Sequence, residues 1–221
     1  MRSFWTFGSG ALTLKILGKA TSINVRKVLW CCTELGLAHE REDWGSGTAG
    51  ATDAPEFLAL NPNAMVPVLV DGDFTLWESN AICRYLASRD GPTSLLPSAP
   101  RERADIERWM DWQISELNPA WRHAFMALVR HSPRHADAAA IADSLREWNR
   151  LMAILDAQLE RTGAYVTGAD FTLADIVLGL STHRWYLTPQ DARPALPAVA
   201  AYYERLSTRP AFLAHGRNGT P

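Results

Sequence analysis

Residues Leu12 to Leu17 ("LTLKIL") alternate apolar and polar side chains, the period-two pattern of a strand with one buried face. A helical period follows. Val25, Val28, Leu29, Cys32 and Leu35 fall on one side, with Arg26, Lys27, Thr33 and Glu34 on the other. Ser22 precedes this segment and Gly36 follows it, so a helix is expected from Ile23 to Leu35. "HERED" is a short polar strand suited to a sheet edge, "WGSGTAGATDA" is a loop, and "PEFLAL" is a helical turn stopped by Asn61-Pro62. Val66 to Val70 and Phe74 to Trp77 read as two strands joined at Asp71-Gly72, a hairpin signal. "ESNAICRYLA" returns to helical spacing, with Ala81, Ile82, Tyr85 and Leu86 inward. The order is β-α-β-α-β-β-α, a small α/β unit over residues 12–88.

The pattern then changes. Residues 89–100 carry three prolines and a glycine, as a linker does. Beyond them, over 101–221, only helical periods recur. Arg101 to Gln113 is one helix, with Asn118-Pro119 expected to kink or break the chain. Ile141, Leu145, Trp148, Met152, Leu155 and Leu159 mark a long amphipathic helix. "FTLADIVLGLSTHRWYL" is apolar nearly all round and reads as the central buried helix, with Thr172 and Asp175 spaced as a capping box. "LPAVAAYYERLSTRPAF" supplies a last helix.

Composition narrows the classes. A hydrophobic content of 47% with 21% charged residues is that of a globular protein, and no apolar run is long enough for a bilayer. A formal net charge of -2 argues against general nucleic-acid binding. Residues 1–11 lack the apolar core of a signal peptide and read as an extension before the first strand. The odd set Cys31, Cys32 and Cys83 makes neither a disulfide framework nor a zinc site, so no metal is expected and a reducing, cytoplasmic setting is the default.

Several motifs now stand in order: a polar helix start at Ser22, Val66-Pro67 before a hairpin, Glu78-Ser79 opening a helix, "FTLADI" in the helical half, and "RPAF" near the end. In this order, from Leu12 onward, the chain resembles the cytosolic glutathione transferases. The resemblance implies a thioredoxin-like domain followed by an all-helical domain that contributes the electrophile site. It implies glutathione as co-substrate, a cis bond at Val66-Pro67, and main-chain pairing of Val66 with the cysteinyl part of glutathione. Helix starts favour carboxylates, so Ser79 can bind the γ-glutamyl carboxylate while Glu78 accepts from its ammonium.

In serine-type members a hydroxyl at the first helix start donates to the glutathione sulfur. Ser22 matches that position and Arg26 matches the arginine of the family's S-x-x-x-R pattern. Asn24 stands where the family has a small residue or proline, which makes Asn24 a rival for the sulfur, with Thr21 a third candidate. A cysteine-type chemistry is disfavoured, because the helical rise puts Cys32 about 15 Å from Ser22. The resemblance further implies a homodimer joining the α/β domain of one chain to the helical domain of the other. The expected activity is conjugation of glutathione to small hydrophobic electrophiles, or a related isomerisation or dehalogenation. The alternative is a non-catalytic glutathione-binding protein of the same fold. Trp112, Ser115, Trp121 and Trp185 are candidates for the electrophile wall, although single tryptophans more often fill cores.

Overall fold

The computed structural model describes residues 13–221. The extension at residues 1–11 and the first strand residue expected, Leu12, lie outside them. Strand β1 (Leu14–Leu17) leads into α1 (Ile23–Glu34), β2 (His39–Glu42), a short α2 (Pro55–Leu58), β3 (Val68–Asp71), β4 (Phe74–Trp77) and α3 (Ser79–Leu86). The sheet order is β2-β1-β3-β4, with β1 and β2 parallel and the other pairs antiparallel. Leu14 and Ile16 point to the face packed by α1 and α3, as the alternation requires. Leu17 is buried too, because it and its ladder partner Val68 lie on the opposite face under Phe57 of α2. The sheet is therefore covered on both sides.

Two strand boundaries shift. β3 begins at Val68 rather than Val66, because Val66-Pro67 is a cis peptide just outside the ladder. Asp71 pairs with Phe74, so the hairpin turn is Gly72-Asp73, one residue later than Asp71-Gly72, with Gly72 at φ 63°.

The rest is helical: α4 (Pro100–Trp112), α5 (Asn118–Leu128), α6 (Ala138–Thr162), α7 (Leu173–Leu187), α8 (Pro197–Leu206) and α9 (Pro210–His215). The expected break at Asn118-Pro119 is not a break. A π-helical turn at Gln113–Leu117 carries α4 straight into α5, and Pro119 falls in the first turn of α5. The wider turn accommodates a residue that lacks an N–H and crowds the preceding turn. The expected last helix is two, α8 and α9, separated at Ser207–Arg209.

Helix α7 is the centre of the molecule, buried from Leu173 to Trp185. Its start carries the capping box: Thr172 N–H donates to Asp175 Oδ2 at 2.8 Å, and Val166 N–H donates to Oδ1 at 2.9 Å. Helix α1 packs against α3, α7 and α9, so its polar side is not a solvent face. Arg26 and Lys27, expected opposite the core, are only 1% exposed. The described helices include none long and apolar enough to cross a membrane.

Candidate active site

The loop after β1 turns at Gly18, and this position sets how closely α1 approaches the segment before β3. A Cβ there would lie 2.5 Å from Val25 Cγ2 and 3.0 Å from Val66 Cβ, at a φ of +150° that only glycine adopts readily. The close approach brings the first turn of α1 beside Val66-Pro67. A cleft of about 90 Å³ opens there, lined by Asn24, Asn61, Asn63, Met65, Val66, Pro67, Glu78 and Ser79. Five of the six glutathione-site candidates are thus brought together, and Ser22 stands two residues before Asn24.

Ser22 is the N-cap of α1, with φ -76° and ψ 125°, yet its hydroxyl makes no capping bond. Its backbone alone serves the helix: the Ser22 carbonyl accepts from Arg26 N–H at 2.9 Å. Thr21 is exposed. Across the cleft, Glu78 is the N-cap of α3 and holds φ 73°, an unusual value for a residue with a side chain. Its carbonyl accepts from Ile82 N–H at 2.9 Å, so the strained residue starts the helix and leaves its carboxylate exposed. Ser79 follows, 6% exposed. Neither side chain caps the helix, which leaves first-turn N–H groups and a partial positive charge facing the cleft.

Three residues were missed from sequence. Asn61 is buried and shapes the loop: its Nδ2 donates to the Met65 carbonyl at 2.7 Å, and its Oδ1 accepts from Asn63 N–H at 3.0 Å. The signal present was the run "NPNAMVP", which reads as a mere helix stop unless the proline after it is placed in a site. The third is Lys27. Its Nζ donates to Asn80 Oδ1 (3.2 Å) and Gln113 Oε1 (3.0 Å). Gln113 in turn donates to Asn118 Oδ1 (2.7 Å) and Ser181 Oγ (3.2 Å). This buried chain of bonds ties α1 and α3 to the π turn and α7. Burial brings the Lys27 ammonium down to about 8.

The cysteines are inert by placement. Cys31, Cys32 and Cys83 are buried and unpaired. A hydrogen bond with Cys83, together with burial, raises the Cys31 thiol well above its usual range, and burial pushes Cys32 up to about 12.

The four wall candidates separate. Trp185 is 1% exposed and donates from Nε1 to Asn149 Oδ1 at 2.7 Å, so it is a core residue rather than a wall. Trp112 packs edge-on against Trp109 and lines a different cavity, of about 530 Å³, between α4 and α6. Ser115 is exposed on the π turn. Trp121 is half-buried, donates to Asn118 Oδ1 at 3.0 Å and lies under the Arg184 guanidinium, 4.5 Å from its ring centre. No trio of His, Cys, Asp or Glu among the described residues is placed to hold a metal.

A four-stranded mixed sheet with α1 and α3 on one face, a cis-proline loop beside the first helix, and an all-helical second half define a thioredoxin-like domain joined to a helical one. Family models agree: the glutathione S-transferase N-terminal domain matches residues 21–89 and the C-terminal domain matches 138–205. Glutathione S-transferase GstB of Escherichia coli (strain K12) is 38% identical over 200 residues, 90% of this chain and 95% of its own length. Glutathione S-transferase 3 of Zea mays is 37% identical, covering 90% and 91%. The solved structure of the theta class glutathione S-transferase from Xanthomonas axonopodis pv. citri with glutathione bound superposes with a TM-score of 0.83 at 42% identity, over 92% of this chain and 96% of that one. The chain belongs to the glutathione S-transferase family and is an enzyme of that family.

Proposed function

We propose that this glutathione transferase conjugates the glutathione thiolate to small hydrophobic electrophiles, with Ser22 holding the sulfur anion. The observation that carries the reading is the Ser22 hydroxyl, which sits at the start of α1 beside the cleft and is not held by a capping bond to the helix. Glutathione is the co-substrate, as the Xanthomonas relative with glutathione bound supports. Its cysteinyl main chain would pair with the N–H and C=O of Val66 beside Pro67. Its γ-glutamyl carboxylate would meet Ser79 and the free first-turn N–H groups of α3, and its ammonium the Glu78 carboxylate.

The energetics suffice. A thiol of pKa about 8.5 is only a few per cent thiolate at pH 7, and lowering it by about two units needs roughly 2.7 kcal/mol of preference for the anion. One hydrogen bond to a charged group contributes about 1.5–3 kcal/mol, and the start of α1 adds about 0.3–1 kcal/mol. No general base is required, and the thiolate then attacks an electrophilic carbon. Trp121 and Ser115 stand on the helical side as the electrophile wall. The units working here are residues 12–88 and 101–221, joined by 89–100, in a homodimer within the cytoplasm.

The test is ultraviolet titration of the bound thiol. Ser22→Ala should raise its pKa toward that of free glutathione and lower turnover, with glutathione affinity nearly intact. An unchanged titration in Ser22→Ala with a large shift in Asn24→Ala would transfer the role to Asn24.

A further inference from the structure

Lys27 stands behind the cleft, between the two helices that wall it. On α1 it follows Asn24 by three residues, about 4.5 Å along the axis and on the same helical face. On α3 its hydrogen-bond partner Asn80 directly follows Ser79. Asn24, Glu78 and Ser79 all line the cleft. Lys27 and Asn80 are each 1% exposed, so the bond between them is sealed from solvent. Asn80 is fixed in its turn, because its Nδ2 donates to the Met110 carbonyl at 3.0 Å.

The partners of the ammonium are neutral amide oxygens: Asn80 Oδ1 at 3.2 Å and Gln113 Oε1 at 3.0 Å. No ion pair among the described residues includes Lys27. The charged and titratable groups facing it are Glu78 and Cys83 of α3 and Arg184 of α7, while the π turn presents the neutral Gln113. An amide oxygen accepts a hydrogen bond but cancels no charge, so positive charge stays behind the start of α3. There it adds to the partial positive charge of the first-turn N–H groups. Losing the proton would not break the bridge, since a neutral amine keeps two N–H donors for its two amide partners. Charge and position are therefore separable by pH.

We propose that Lys27 is a positioning residue of the glutathione site: through Asn80 it holds the first turn of α3 against α1, and its ammonium strengthens that turn's hold on the γ-glutamyl carboxylate. The inference rests on glutathione lying in the cleft as proposed above. Burial brings the ammonium down to about 8. A bound carboxylate favours the charged form, so the protonated chain binds more tightly. The gain is complete below pH 8 and is lost as pH rises above it.

Calorimetry with S-methylglutathione, whose sulfur cannot ionise, tests this on the full chain between pH 7 and 9.5. The ligand's own ammonium titrates in this range and Arg184 is common to every variant, so the readout is the difference between profiles. Across the range, wild-type affinity should fall about fivefold more than that of Lys27→Met, which starts weaker. Should Lys27→Met not fold, Asn80→Asp takes its place. A carboxylate there pairs with the ammonium, keeps it protonated to higher pH, and should remove the same excess fall. A wild-type profile parallel to that of the variant would overturn the proposal, because a merely structural bridge weakens binding equally at every pH. No binding of S-methylglutathione by the wild-type chain would overturn the glutathione reading itself, and this proposal with it.

Discussion

Glu78 holds a positive φ where a glycine would rest more easily, a conformation that costs a residue with a side chain about 1–3 kcal/mol. A ligand contact gives that strain a use, and the two can be separated. Glu78→Gly should raise thermal stability slightly while weakening glutathione binding, and Ser79→Ala should weaken binding alone, each by about tenfold. Calorimetric affinities equal to wild type in both would remove the γ-glutamyl site. Lys27 makes a different prediction. Burial lowers its ammonium from 10.5 to about 8, so below pH 8 the folded state bears the full cost of a buried charge. Between pH 8 and 10.5 the unfolded chain keeps a proton that the folded chain has shed, and stability must rise with pH. Relative to Lys27→Met, the wild-type chain should therefore gain about 2 kcal/mol between pH 8 and 9.5 in urea unfolding, at about 1.4 kcal/mol per unit. Parallel pH profiles would show that Lys27 is better solvated than its surroundings suggest.

Among the elements, α7 depends most on its first residue pair. Asp175 takes N–H bonds from Val166 and Thr172 and a hydroxyl bond from Thr172, all buried. Asp175→Ala leaves those donors without an acceptor, so unfolding free energy should fall by about 3 kcal/mol, with the glutathione KM of the surviving folded enzyme unchanged. A shifted KM would mean that the cap communicates with the cleft. The helix from α4 to α5 shows a limit of local rules. Pro119 signals a stop, yet Gln113 and Asn118 are bonded across the π turn to each other and onward to Lys27, Ser181 and Trp121. Side chains far apart in sequence stabilise a wide turn that proline alone would have ended. The face of α1 is a similar case: a charged side reads as solvent-facing until α9 and the residues after it cover it.

At the scale of the whole molecule, the proposed homodimer has physical support in what the single chain leaves uncovered. Phe74 and Trp77 on the edge strand β4 are 43% and 37% exposed, Met65 beside the cleft is 62% exposed, and the cavity between α4 and α6 carries exposed Ile154. Apolar edges of this kind are normally covered. Sedimentation at micromolar concentration should give twice the chain mass of 24.5 kDa, and Trp77→Glu should shift the population toward monomer. A wild-type monomer at that concentration would reject the assembly.

The sequence by itself determined the order of elements in the α/β half, the two-part architecture and the central place of α7, because these rest on local period, caps and turns, whereas the proposed glutathione contacts came from the resemblance carried by short contiguous motifs. The alternation of Leu14 and Ile16, the hairpin before Trp77 and the Thr172-Asp175 cap are each readable within a few residues. Tertiary structure alone decided the burial of Arg26, Lys27 and Leu17, the π turn in place of a break, the separation of Trp185 from Trp121, and the contact of Arg26 with residues 216–221. Each of these depends on which distant segment covers a given face. Arg26 and Thr220 are 194 residues apart, and no periodicity in α1 records that they meet.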